Sequence, residues 1–142
     1  MKKSIYLVFI VFLIMISGPI ATAKAEESNL EEIQVIPIQS TGIVTVGNND
    51  AMLLIDHEIR DQSVFIECFV NQFHFTKEKV GATHQEGEGH IRLYINDEHV
   101  ETLFEPAFII NDLPKGKYEI KVVIVKNDRS SYDMEETIQV TI

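Results

Sequence analysis

Three histidines frame one polar stretch of the chain. His74 closes a hydrophobic run, His84 lies inside the following segment, and His90 opens the next hydrophobic run. Imidazole nitrogens suit copper, zinc and nickel, and Glu86 and Glu88 add carboxylates that could ligate an ion or orient a ring. His74, His84, His90 and Glu88 therefore form a candidate metal site, with copper or zinc as its cofactor. The spacing H-x9-H-x5-H matches no zinc-finger or zincin pattern, and five histidines in 142 residues is no large excess. His57 and His99 lie near turns and read as solvated surface residues. A second set, Arg92, Tyr94 and Arg129, has the side-chain types that anchor interfaces and would suit a contact surface for another protein or a polymer.

Catalytic signatures are missing. Ser130 and Ser131 have no G-x-S-x-G context, and Cys68 lies in an apolar run where burial as a small hydrophobe is expected, not thiolate chemistry. Gly87-Glu88-Gly89 precedes no helix that could hold an anion at its N-terminus and reads as a hinge. Glu135 and Glu136 would point to opposite faces of an extended segment, so they make no acid/base pair. No catalytic residues are assigned, and the expectation is a protein that is not an enzyme.

The elements that must position these residues are strands. Val64, Ile66, Cys68 and Val70 alternate with Phe65, Glu67, Phe69 and Asn71 in a run from Val64 to Phe75, which reads as one long central strand. Ile91, Leu93 and Ile95 alternate with His90, Arg92 and Tyr94, so His90 should share the solvent face with Arg92 and Tyr94. His74 falls on the face of Cys68. A bulge near Phe73 and direct hairpin pairing would bring His74 opposite His90, with Cβ atoms ~5 Å apart. A crossing between sheets would instead leave only loop residues near His90. Shorter strands are expected at 33–38, where Pro37 implies an edge or a bulge, and at 43–46, 52–55, 100–104, 107–110, 118–125 and 137–142. Thr76 to Gly89 reads as a long surface loop of the kind that often carries function. Tyr118, just after Leu113-Pro114-Lys115-Gly116, stands where immunoglobulin-like sandwiches place a corner tyrosine. Together these predict an all-β, antiparallel immunoglobulin/fibronectin-III-like β-sandwich of seven to eight strands over residues 33–142. One Cys and no Trp exclude the antibody-type core with its disulfide.

Lys2 and Lys3 precede a continuous apolar run from Ile5 to Ile16, followed by Gly18-Pro19 and Ala23-Lys24-Ala25. This is the grammar of a cleavable signal peptide over residues 1–25, and the run is too short to cross a bilayer as a helix. Residues 26–32 read as a flexible acidic leader. The chain carries 12 Lys and Arg against 22 Asp and Glu; loss of the first 25 residues removes three lysines and leaves a formal charge of about −13. That balance disfavours nucleic acid, whose binding needs clustered cations, and favours a soluble monomer. Export to a periplasm or to the outside of the cell is expected, with no stable membrane insertion after cleavage.

Asn71-Gln72-Phe73-His74-Phe75, Gly87 to Asn96, Leu113-Pro114-Lys115-Gly116 and Asn127-Asp128-Arg129 together resemble a group of small exported bacterial immunoglobulin-like β-sandwich proteins. The group's patterns are N-F-x-F, G-E-G-H-x-H-x-Y, L-P-x-G and N-D-H, and the resemblance covers about 60 residues of the C-terminal half. It implies a sandwich and a metal-handling role, often thought of as copper-related, for the histidines. Arg92 replaces the second His of the first histidine motif and Arg129 replaces the His of N-D-H, so two metal donors of the group are cations here. The sequence thus leads to a non-catalytic exported module that contacts an extracytoplasmic protein or a cell-surface polymer. The alternative is an extracytoplasmic copper or zinc binder.

Overall fold

Period-two alternation dictates most of the architecture. The computed structural model describes Leu30 and residues 33–39 and 53–142, so the signal peptide expected at 1–25, most of the expected leader, the strand expected at 43–46 and the turn after it lie outside the described residues. The strands are β1 (Gln34–Ile38), β2 (Leu53–Arg60), β3 (Ser63–Val70), β4 (His74–Phe75), β5 (Glu88–Ile95), β6 (Glu98–Leu103), β7 (Ala107–Asn111), β8 (Lys117–Lys126) and β9 (Ser131–Thr141). Among the described residues there is no α-helix, and no helix is long and apolar enough to cross a membrane.

Two sheets result. One has the order β1-β7-β3-β2; the other runs β4-β5-β8-β9, with β6 on the same edge of β5 as β4. Every pairing is antiparallel except the two-residue parallel contact of β4 with β5. The inward residues of both sheets fuse into one core: Val64, Ile66, Phe108 and Ile110 from the first meet Ile91, Leu93, Ile95, Ile120, Val122 and Ile124 from the second. Each such side chain stabilises the fold by roughly 1.5–3 kcal/mol relative to exposure. Cys68 is 3% exposed within this core, and burial, with the Glu67 charge adding to it, pushes its thiol up to about 12. It is an inert hydrophobe.

Local chemistry explains the turns. Asn96 and Asp97 both take positive φ, 51° and 66°, which a two-residue hairpin of the mirror-image type requires between β5 and β6. Tyr118 is buried and its hydroxyl donates to the Pro114 carbonyl at 2.9 Å, tying the turn before β8 to the strand itself. Pro37 lies in β1, which is an edge strand as its missing N–H demands.

Two expectations need correction. The run from Val64 to Phe75 is two strands in different sheets, broken where Gln72 adopts a φ of 51°. The chain therefore crosses between sheets, and His74 pairs in parallel with Glu88, not as a hairpin with His90. The described residues hold nine strands where seven or eight were expected, since β4 adds a short one. Leu30, within the stretch expected to be a flexible leader, packs against the core.

Candidate functional site

The outer face of the five-stranded sheet carries the polar side chains that the inward pattern leaves over. With Ile91, Leu93 and Ile95 in the core, the residues between them point outward, so Glu88, His90, Arg92 and Tyr94 form one row along β5. Register places Val125, Val123 and Lys121 of β8 beside His90, Arg92 and Tyr94. On the other side Thr102 and His99 of β6 pair with Arg92 and Tyr94.

The start of this row is a polar network with one gap, the buried Asn127 Oδ1, which has no hydrogen-bond partner. Lys79 Nζ reaches both Glu88 carboxylate oxygens, at 2.6 and 2.8 Å, and also Gln85 Oε1 at 2.7 Å. Asn127 Nδ2 donates to Glu88 Oε2 at 3.3 Å. The Tyr132 hydroxyl donates to the Glu88 carbonyl at 2.9 Å and accepts from the Glu88 N–H at 3.2 Å. The backbone of Gly81 donates to the Asn127 carbonyl at 2.6 Å. The segment between β4 and β5, expected as an open surface loop, is thus stapled to the ends of β5 and β8. The Lys79 ammonium holds the Glu88 carboxyl below the usual carboxylate range, with Asn127 and the charge of His74 helping. A Cβ at Gly89 would overlap the Val125 carbonyl oxygen and lie 3.1 Å from the Phe73 ring, so only glycine lets β8 and Phe73 close there.

Two residues further on, the picture changes. His90 is 2% exposed, and its ring lies 5.7 Å from that of Phe104, over which Lys77 Nζ sits at the same distance. Its Nδ1 is buried without a hydrogen-bond partner. Burial first, then the positive charges of Arg92 and Arg129, push the imidazole below its ordinary range, so it is neutral at pH 7. Neither Arg92 nor Arg129 has a carboxylate within ion-pairing distance among the described residues. Arg129 sits in the tight β8–β9 connection, where its N–H donates to the Lys126 carbonyl at 2.9 Å and Lys126 N–H donates to Ser130 at 2.8 Å. Tyr94 extends the face: His99 lies edge-on to it at 5.3 Å, and Lys121 Nζ lies 5.5 Å from its ring centroid while pairing with Asp97 at 2.9 Å.

The structure brings Arg92 and Arg129 to bear on one buried imidazole, with Tyr94 next in the row. It does not assemble His74, His84, His90 and Glu88. His74 is exposed beside Glu88, the Glu88 carboxylate is taken by Lys79, and His84 packs edge-on against Tyr132 at 5.2 Å with its Nε2 facing Glu86 at 3.3 Å. Among the described residues no group of three or more His, Cys, Asp and Glu side chains is arranged to hold a metal ion. A copper or zinc ion at His90 would also face two guanidinium charges, so the donor set does not fit the metal. The sequence reading missed Lys79, Tyr132 and Phe104. Lys79 and Glu88 are nine positions apart across a loop, and no periodic signal links them.

No family model matches this chain, and no curated protein matches it. Among solved structures it is similar to the spore cortex lytic enzyme SleM of Clostridium perfringens, with 11% identity and a TM-score of 0.46 over 65% of this chain and 28% of that one. The chain thus spans under a third of that enzyme's length, and a likeness of this degree bears on neither activity nor substrate.

Proposed function

We propose that this chain is an exported, non-catalytic β-sandwich module that contacts another extracytoplasmic protein or a cell-surface polymer through the outer face bearing Arg92, Tyr94 and Arg129. The observation that carries this reading is the pair of guanidiniums without carboxylate partners around a buried, neutral His90, in a chain where acids outnumber bases by 22 to 12. The third arginine, Arg60, is paired with Glu58 at 2.6 Å, and Lys79 and Lys121 are paired too, whereas Lys77, Lys115, Lys117 and Lys126 have no carboxylate within ion-pairing distance. Cations left unpaired amid a surplus of carboxylates are suited to a charge that arrives from outside.

The immunoglobulin/fibronectin-III-like class is part of the proposal. It is supported by the order β2-β3-β7 facing β6-β5-β8-β9, and by Tyr118 bonding to a carbonyl four residues upstream. The motif resemblance to small exported sandwich proteins agrees with it, as does the signal-peptide grammar of residues 1–25. The test is sedimentation of the mature chain with cell-envelope fragments, compared with Arg92→Gln, Arg129→Gln and Tyr94→Ala variants. Sedimentation weakened roughly 10-fold by each arginine change, the loss of about one charge-assisted hydrogen bond, supports the reading. Equal retention of all four proteins, or none by the parent, removes it.

The alternative is an extracytoplasmic copper or zinc binder using His74, His84, His90 and Glu88. The unpartnered Nδ1 atoms of His84 and His90 speak for it. Stoichiometric binding of either metal, abolished by His90→Ala, would establish it over the contact reading.

A further inference from the structure

Six cations among the described residues, Lys77, Arg92, Lys115, Lys117, Lys126 and Arg129, have no carboxylate within ion-pairing distance. Arg60, Lys79 and Lys121 each have a carboxylate at 2.6 to 2.9 Å. Arg92 and Arg129 have none, and the charge of each acts on the His90 ring. His90 and Arg92 lie two positions apart on one face of β5, about 6.6 Å along the strand. Arg129 is held above the end of β8 by the turn that Lys126 and Ser130 close. Phe104, capped by Lys77, forms one wall beside the ring. Val123 and Thr102, the register neighbours of Arg92, offer no charge, and the acid next in line is Glu135 of β9, one strand beyond Val123.

We propose that Arg92 and Arg129 form a recognition site for an oxyanion, a carboxylate or a phosphate, carried by the partner, with the His90 ring as its floor. This rests on the reading that the outer face makes the contact, and it names the chemistry recognised there. Guanidinium is the side chain best matched to such groups, since its planar fork can bond two oxygens at once and remains charged at any working pH. Two of them supply more positive charge than a single carboxylate or phosphate monoanion needs. A neutral imidazole below them adds polarity without competing for the anion. The fold itself supports the assignment. Two like charges next to a buried ring are costly alone, and an anion between them converts that repulsion into attraction. The Nδ1 atom left without a partner belongs to the same ring, so the site has unsatisfied polarity as well as unsatisfied charge.

The experiment follows the ring C–H resonances of His90 in the mature chain, assigned by their loss in His90→Gln, during titration with poly-L-glutamate and with inorganic polyphosphate at constant ionic strength. A saturable shift with either polymer, weakened about 10-fold or more in Arg92→Gln and Arg129→Gln variants whose spectra otherwise match the parent, supports the site. Response to poly-L-glutamate alone identifies carboxylate as the recognised group, and response to polyphosphate alone identifies phosphate. No saturable shift with either, a shift reproduced by sodium chloride, or equal affinities in the variants overturns it. Envelope sedimentation that persists while both titrations fail would reject the oxyanion and leave the contact face standing. Oxyanion binding without envelope sedimentation would do the reverse.

Discussion

Glu88 and His90 occupy the same face of the same strand with one residue between them, yet they belong to opposite kinds of polar cluster. Around Glu88, Lys79, Asn127 and Tyr132 hold the residue on all sides and the carboxylate has a partner on each oxygen, although the buried Asn127 Oδ1 has none. Around His90, two guanidiniums lack carboxylates and the ring itself lacks a partner for Nδ1. A polar group that is satisfied inside the fold acts on stability, because removing one member leaves another desolvated and alone. A group left unsatisfied acts on whatever arrives. The loop between β4 and β5 shows the same contrast. His84 and Glu86 in it, with Glu88 at its end, suggested a ligand site, but Lys79 ties it to the sheet.

The largest effect is expected at the residue between the two clusters. Gly89→Ala drives a methyl group into the Val125 carbonyl and against Phe73, so it should destabilise the protein by roughly 3 kcal/mol, read from urea unfolding. An unchanged midpoint would mean that β5 and β8 do not approach as closely as described. Next comes Tyr132→Phe, which deletes the hydroxyl bridging the Glu88 N–H and carbonyl and should cost about 1–2 kcal/mol. It should also speed amide exchange in residues 77–87; parent-like exchange there would show that the staple does not hold the loop.

His90 gives a pH-dependent contribution of defined sign. Its folded pKa lies below the ordinary value of 6.5, so the unfolded chain takes up the proton first. Stability from this group is present above about 6.5, is lost as the pH falls below it, and levels off under the folded pKa. His90→Gln should therefore show a shallower loss of stability on acidification than the parent, and parallel curves would deny that burial and the two arginines depress the ring. The smallest stability effect is expected at the arginines. Arg92→Gln and Arg129→Gln should each change unfolding free energy by less than about 0.5 kcal/mol, because no internal partner is lost. A loss as large as that of Tyr132→Phe would place them with the structural cluster after all.

The core was legible because alternation is a local property. Ile91, Leu93, Ile95 and Tyr118 to Ile124 announce their faces over a few residues, and Pro37 announces an edge. The corner at Tyr118 followed from the Pro-Gly turn before it. The break at Gln72 was not legible, since a left-handed glutamine carries no composition signal and the apolar pattern runs on through Phe73 and Phe75. The full lengths of β2 and β9 were hidden for a related reason. Both are edge strands, so residues such as Asp56, Glu58, Glu135 and Glu136 remain exposed in an extended chain and read as loop. In the candidate site, the outward row His90, Arg92, Tyr94 came directly from β5 alternation. What could not be read was which cations had partners: Lys79 finds Glu88 across a loop, and the charge of Arg129 acts on His90 from the turn after β8, the strand that pairs with β5.

The titration of His90, followed by its ring proton resonances, tests the central contrast most directly. The parent should titrate below 6.5, and the Arg92→Gln/Arg129→Gln double variant should titrate measurably higher as the two charges are removed. A parent value at or above 6.5, or one that does not move in the double variant, would mean that these guanidiniums are already neutralised within the fold, and the contact face would lose its basis.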